Sequence, residues 1–216
     1  MDDLKNHIAK LREDFMKGTL DEAEVDKNPF AQFELWLKQA VESDIPETQA
    51  MTLSTVSAEG KPSSRVVYLR EFESNSFWFY GNYESRKGKQ LAANPNACLN
   101  FFWPLLERQI RIEGTVSVAP TMDSDAYYNN RPLESRIGAW ASAQSSKLDS
   151  RKELEDKVES FKKQFENKEV NRPPYWGGWI LKANYYEFWQ GRKSRLHDRI
   201  CYTQKNDTWK ILRIAP

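Results

Sequence analysis

Histidine and cysteine are nearly missing from this chain: two of each, His7 and His197, Cys98 and Cys201, in 216 residues. So small and scattered a set excludes a zinc finger or an H-E-x-x-H site. An excess of one charge is missing too. Thirty-two Lys and Arg face 31 Asp and Glu, a net +1, which argues against a long polyanion, nucleic acid included, as the main partner. No run of about 18 apolar residues occurs, so no membrane-spanning helix is expected. The opening MDDLKNHIAKLRED has no apolar stretch of the secretory kind. Lone cysteines without a signal read as reduced thiols in a cytoplasmic protein, Cys98 within ACLNFFW as a small buried hydrophobe. Glycine-rich phosphate loops are absent. There is no G-x-G-x-x-G and no G-x-S-x-G, and Gly88-Lys89 has Tyr83 where a P-loop needs its first glycine. Any phosphate bound here must be held by side chains.

What the chain has in quantity is aromatic surface: 8 Trp, 9 Tyr and 11 Phe, 13% of the residues. Leu4, Ile8, Leu11 and Phe15 recur at helical spacing, and Gly18 is placed to end that helix. Asn28 and Pro29 are N-cap and first-turn residues of a second helix, with Phe30, Phe33, Trp36, Leu37, Ala40 and Val41 on one side. From Met51 the pattern turns to strands: 51–57, 63–72 and 77–83, with short turns between them. A short helix over ESRKGKQLAANP, stopped by Asn94-Pro95, precedes strands at 97–103 and 108–119, where Arg108, Ile110 and Ile112 alternate with Arg111 and Glu113. Residues 121–167 are expected to be helical, with an amphipathic stretch from Leu148 to Phe165. Strand character returns at 176–191, 198–204 and 207–216. The expectation is about seven mostly antiparallel strands with flanking helices, mainly β (α+β), around a small barrel or curled sheet. Without repeats or long linkers, residues 1–216 read as one domain with an N-terminal helical segment, 1–45.

Four segments combine cations with hydroxyl or amide groups. Ser64-Arg65 through Arg70 lies on a strand, with Arg65, Val67 and Leu69 facing one way and Val66, Tyr68 and Arg70 the other. Tyr80-Gly81-Asn82 leads into Ser85-Arg86-Lys87, where cations meet the positive end of a helix. Tyr127-Tyr128, Arg131 and Ser135, followed by Trp140, Gln144 and Ser145, offer an Arg fork and hydroxyls suited to a phosphate monoester. The fourth runs from Glu187-Phe188-Trp189-Gln190-Gly191 to Arg195-Leu196-His197-Asp198-Arg199. Taken singly, the first three also read as an amphipathic strand, a solvated basic turn and a helix–loop surface. Together the four fit a flat phosphorylated ligand, or two of them.

The segments PSSRVVYLR (62–70), FYGNYESRKGKQL (79–91), ERQIRIEG (107–114), RPLESRIGAWASAQSS (131–146), WGGW (176–179) and EFWQGRKSRLHDR (187–199) stand in an order that resembles the pyridoxamine 5'-phosphate oxidase family. These are FMN enzymes that make pyridoxal 5'-phosphate. The resemblance implies an FMN-binding split β-barrel, homodimeric, with FMN at the subunit interface and residues 170–216 in dimerisation and substrate binding. It places FMN contacts on Arg65, Val66, Val67, Tyr68, Leu69, Arg70, Tyr80, Gly81, Arg86, Lys87, Gln109, Gln144, Ser145, Trp189 and Arg199. Substrate contacts fall on Arg12, Phe15, Arg70, Tyr127, Arg131 and Ser135, and Arg195 and His197 lie near the substrate ring as catalytic residues. Three positions depart from the family pattern: Arg70 for a usual Lys, Phe15 for a usual Tyr, and Arg136 for a common Gln.

The implied reaction moves a hydride from the substrate C4′ to flavin N5, and O2 is then reduced to hydrogen peroxide. No side chain is expected to serve as an obligatory base. Two alternatives keep parts of this reading: another split-barrel flavoprotein such as a flavin reductase, and a non-catalytic FMN or pyridoxal-phosphate binding protein.

Overall fold

Apolar residues at every second position put Met51 and Leu53 on one face of β1 (Ala50–Val56), and Phe77 and Phe79 on one face of β4 (Ser76–Asn82), all buried. The structure, a computed structural model, describes residues 5–7, 14–206 and 208–216. Leu4, Ile8, Leu11 and Arg12, and with them most of the first expected helix, lie outside the described residues; Phe15 and Gly18 fall in a stretch without regular structure.

The chain divides into two compact units. The larger comprises Gln49–Asn100 and Ile112–Asn184; the smaller comprises Met1–Thr48, Phe101–Arg111 and Tyr185–Pro216. The remaining strands are β2 (Pro62–Tyr68), β3 (Glu71–Glu73), β5 (Asn96–Trp103), β6 (Arg108–Val118), β7 (Trp176–Gln190), β8 (Asp198–Lys205) and β9 (Thr208–Arg213). The sheet order is β2-β1-β5-β6-β7-β4-β3, with β1 antiparallel to β2 and β5, and β4 antiparallel to β3 and β7. The expected mainly β architecture with flanking helices is therefore present, with nine strands among the described residues in place of about seven. One added strand arises because the segment expected as 63–72 breaks at Leu69-Arg70, where Leu69 N–H bonds to Gln49 O and Arg70 N–H to Trp78 O.

Helix α2 (Arg86–Ala93) begins at Ser85, whose Oγ accepts from Gly88 N–H at 3.3 Å and donates to Asn82 O at 2.6 Å. Gly88 permits this close docking, since a Cβ there would stand 2.0 Å from Tyr83 O. Helices α3 (Thr121–Asn129), α4 (Leu133–Ala141) and α5 (Arg151–Gln164) replace the single helical stretch expected over 121–167. Ser150 caps α5, so Leu148 precedes the helix. Gly178 of β7 lies opposite Tyr80 in the β4 register, and a Cβ there would meet the Tyr80 ring at 2.6 Å, so the glycine lets that ring lie on the sheet.

In the smaller unit, α1 (Pro29–Glu42) starts as expected: the Asn28 side chain accepts from Phe30 N–H at 3.0 Å and Pro29 occupies the first turn. Phe33, Trp36 and Ala40 are buried, with Phe33 5.5 Å from Phe101 and Trp36 edge-on to Phe188 at 5.2 Å; Val41 is exposed. The end of β7 pairs with β8, and β8 with β9, burying Tyr186, Phe188, Ile200 and Tyr202. Cys201 is buried in this core, whereas Cys98 is half-buried rather than buried, because it shares the off-core face of β5 with Asn100 and Phe102. Among the described residues no helix is long and apolar enough to cross a membrane.

Gly88→Ala is expected to lower stability by about 3 kcal/mol, because the clash is with backbone that cannot rotate away. Urea denaturation of the two proteins measures it.

Candidate active site

The larger unit holds a cavity of about 920 Å³, the size of a ligand pocket. Its lining contains Arg65, Arg70, Arg86, Lys87 and Arg131, and not one carboxylate. Arg65 comes from β2, the edge strand of the sheet order, and consecutive residues 63–68 line the cavity because an edge strand presents its backbone as well as its side chains. The Arg65 guanidinium donates to Leu53 O at 3.1 Å, Thr55 Oγ1 at 2.6 Å and Ser63 Oγ at 2.7 Å. All these acceptors are neutral, so its direction is fixed and its charge remains uncompensated. Gln90, 6% exposed, braces the same group: its Oε1 accepts from Thr55 Oγ1 at 2.6 Å and Ser63 Oγ at 2.7 Å.

Arg86 and Lys87 occupy the first turn of α2, where the helix dipole already places positive charge. Lys87, 7% exposed, donates to Gln144 Oε1 at 2.7 Å and Ser85 Oγ at 3.2 Å and has no ion pair among the described residues. Burial, reinforced by Arg65, pushes the Lys87 amine down to about 8. Ser145, on the same lining, has φ 72°, a left-handed conformation that costs an L-residue about 1 kcal/mol or more.

A second group in the cavity is aromatic. Tyr80 and Tyr127 stack at 3.9 Å, and Trp176 lies parallel to both at 6.0 and 6.2 Å. The Arg131 guanidinium sits 4.5 Å from the Trp176 ring centre. Its Nη1 is buried with no hydrogen-bond partner, an unusual state for a charged donor. Burial lowers its affinity for the proton, as it does for Arg65. Arg70 lies 4.9 Å from the Tyr68 ring and 5.9 Å from that of Tyr127.

The smaller unit contains its own cluster. His197 packs against Trp189 at 4.6 Å and edge-on to Phe15 at 5.6 Å. Its Nδ1 accepts from Arg192 N–H at 3.1 Å, so the neutral imidazole carries its proton on Nε2. Burial and the neighbouring Arg195 hold its pKa below the usual histidine value, against the pull of Asp198. Ser194 and Arg195 both have left-handed backbone, φ 57° and 63°, and Arg195 is exposed. Glu187, 2% exposed, takes Arg199 Nε at 2.8 Å and Arg111 Nη2 at 2.6 Å.

Comparison with known proteins now decides the family. Residues 37–165 match the family model described as "Pyridoxamine 5'-phosphate oxidase" and residues 176–216 the one described as "Pyridoxine 5'-phosphate oxidase C-terminal dimerisation region". The chain belongs to the pyridoxamine 5'-phosphate oxidase family. A pyridoxine/pyridoxamine 5'-phosphate oxidase of Cyanothece sp. is 49% identical over 97% of this chain and 98% of its own, and one of Nostoc punctiforme is 50% identical over the same shares. Among solved structures, PhzG from Burkholderia lata, in complex with tetrahydrophenazine-1-carboxylic acid, superposes with TM-score 0.85. It is 26% identical over 92% of this chain and 98% of its own. The split-barrel fold implied by the resemblance is thus the fold of the chain.

Of the positions expected from family resemblance, Arg65, Val66, Val67, Tyr68, Arg70, Tyr80, Gly81, Arg86, Lys87, Tyr127, Arg131, Ser135, Gln144 and Ser145 meet in the one cavity. Leu69 is buried in the core and does not line it. Gln109, half-buried on β6, belongs to the smaller unit with Phe15, Trp189, Arg195, His197 and Arg199. Trp140 packs on Phe161 and Phe165 rather than in the cavity. Sequence reasoning missed Gln90 and Trp176. Trp176 stood in the WGGW segment, whereas Gln90 read only as one polar residue of a short helix.

At pH 8.5 the Lys87 amine is largely neutral, and a phosphate bound beside it restores the cation, so binding takes up protons. Titration calorimetry with inorganic phosphate in two buffers of different ionisation enthalpy should show uptake of more than about half a proton. Lys87→Met should reduce it to near zero.

Proposed function

We propose that the protein oxidises pyridoxamine 5'-phosphate and pyridoxine 5'-phosphate to pyridoxal 5'-phosphate, with FMN as cofactor and O2 as acceptor, acting as a homodimer. One observation carries this reading: a single cavity holds five cations without a carboxylate, and one of them, the half-buried Arg131, has a buried Nη1 without a partner. That donor set fits a flavin phosphate at Arg65, Arg86 and Lys87, and a vitamin phosphate at Arg131 and Ser135. The names of the half-identical relatives support it, and the match of residues 176–216 to a dimerisation region supports the dimer. In such a dimer the partner's copies of Gln109, Trp189, Arg195, His197 and Arg199 would complete the site.

Held by Arg65, Arg86 and Lys87, a flavin would supply the hydride-accepting chemistry, with O2 as the final acceptor and hydrogen peroxide as its product. The chain's part is to bind, orient and shield. Arg131 and Arg70 neutralise the substrate phosphate, the Tyr127 ring covers it, and Ser135 donates to it. Arg65 holds the flavin phosphate from a direction preset by Thr55, Ser63 and Gln90. His197, neutral at pH 7, offers Nε2–H to the substrate as a donor, and its ring is held in place by Trp189 and Phe15. Neutral imidazole in that tautomer orients the substrate and takes no proton from it through Nε2.

The decisive experiment uses the purified protein with flavin bound, without oxygen. Adding pyridoxamine 5'-phosphate should bleach the flavin absorbance within seconds, and air should restore it. A protein that stays yellow is a binder or uses another substrate, and one bleached instead by a nicotinamide dinucleotide is a flavin reductase. A second expectation concerns His197: His197→Ala should lower kcat by no more than about tenfold, the worth of one orienting hydrogen bond. A loss of several orders of magnitude with flavin and substrate still bound would show that His197 moves a proton.

A further inference from the structure

Residues 14–22 have no regular secondary structure, yet they are fastened at many points to the smaller unit. Leu20 N–H donates to Asp198 Oδ2 at 3.1 Å, and Leu20 O accepts from Arg213 Nη2 at 2.9 Å. Arg213 Nε donates to Glu22 at 2.7 Å, and its Nη1 reaches Asp198 Oδ1 at 2.8 Å. Arg192 adds Gly18 O at 3.2 Å and Asp198 Oδ2 at 3.5 Å. At the far end Asp14 Oδ1 accepts from Ser194 N–H at 3.2 Å. These ties end on the loop 192–198 or on Arg213, and Lys17 adds two elsewhere, its N–H to Glu107 Oε2 at 2.9 Å and its Nζ to Leu105 O at 2.8 Å.

We propose that Asp198 and Arg213 are positioning residues, a clasp that holds residues 14–22 on the loop carrying Arg195 and His197 and so keeps Phe15 against the His197 ring. Asp198 is central because it follows His197 directly and binds the segment and both arginines. Its side chain is 18% exposed and that of Arg213 37%, enough burial for the pair to outweigh an ordinary surface ion pair. The two contacts of the Phe15 ring, with Trp189 at 5.8 Å and His197 at 5.6 Å, exist only while the segment lies in place. The consequence for substrate affinity rests on the reading above, in which His197 meets the substrate; the clasp itself does not.

The test compares the flavin-bound wild type with Arg213→Gln and with the milder Glu22→Gln, which removes the charge of one partner of Arg213 and leaves it one acceptor oxygen. Chymotrypsin cleavage after Phe15 reads the clasp without reference to activity. Loss of the charge-assisted hydrogen bonds of Arg213 to Glu22 and Asp198 predicts cleavage at least about tenfold faster in Arg213→Gln and a smaller gain in Glu22→Gln. The KM for pyridoxamine 5'-phosphate should rise about tenfold with kcat within about threefold and flavin content unchanged. In the wild type, 0.5 M salt should reproduce part of the cleavage increase, and it should have little further effect in Arg213→Gln. Unchanged cleavage in both variants overturns the clasp, and faster cleavage with unchanged KM overturns its role at the substrate. A wild type that oxidises neither vitamin overturns the functional reading, while the cleavage rates still decide the clasp.

Discussion

Positive charge without a carboxylate is the constraint around which the larger unit is built. Arg65, Lys87 and Arg131 are wholly or partly withdrawn from water and carry no acidic partner on the cavity lining. Neutral acceptors set their directions instead: Thr55, Ser63 and Gln90 for Arg65, Gln144 and Ser85 for Lys87. The arrangement is costly. For Lys87 alone, a pKa moved from 10.5 to about 8 corresponds to about 3 kcal/mol against the charged form. A carboxylate in place of Gln144, which accepts from Lys87 on the cavity lining, would relieve that cost and would also discharge the cation. The polar residues around the cavity are amides and hydroxyls for that reason: they orient cations without discharging them.

In the smaller unit several arginines are paired with acids instead, although Arg108 donates to the neutral amides of Gln190 and Gln39. Glu187 neutralises Arg111 and Arg199, and Asp198 and Glu22 neutralise Arg213. Paired arginines are held rigidly and attract anions weakly, so these serve geometry more than capture. Arg195 differs: exposed, on left-handed backbone, it stands outside both networks. A net charge of +1 over the chain conceals this division. The cavity of the larger unit keeps five cations without a carboxylate, whereas Glu187, Asp198 and Glu22 of the smaller unit hold arginine side chains in place.

Much of this was legible in the sequence because it is local. Alternation placed β4 and β6, Asn28-Pro29 placed the start of α1, and Ser85 with Asn94-Pro95 bounded α2. What local patterns miss is anything set by register or by an edge. The break at Leu69-Arg70 depends on backbone bonds to Gln49 and Trp78, neither of them near in sequence. Cys98 looked buried because its neighbours are apolar, but the pleat turned it outward with Asn100. Gln90 is the clearest case among site residues. Its importance comes from Thr55 and Ser63, which reach it across the fold. The ordered motifs named the cavity residues well because each lies on a short segment, yet they held no sign that Gln109, Trp189 and Arg199 fall in a different compact unit.

The three departures from the family pattern are intelligible in the same physical terms. Phe15 lacks the hydroxyl of the usual Tyr, but its contacts with Trp189 and His197 are made by the ring, so orientation of the imidazole survives the change. Arg70 in place of Lys brings a planar cation that stacks over Tyr68 and approaches Tyr127, contacts a compact ammonium makes less well. The exchange trades mobility for a fixed fork aimed by two rings. Arg136 is engaged through its backbone, whose carbonyl accepts from Tyr128 Oη at 2.9 Å, while its Nε is buried without a partner. The carbonyl contact is one that any residue at position 136 could make. At Phe15 and Arg70 the contacts are made by ring and cation, so they depend on the shape and charge presented to a neighbour.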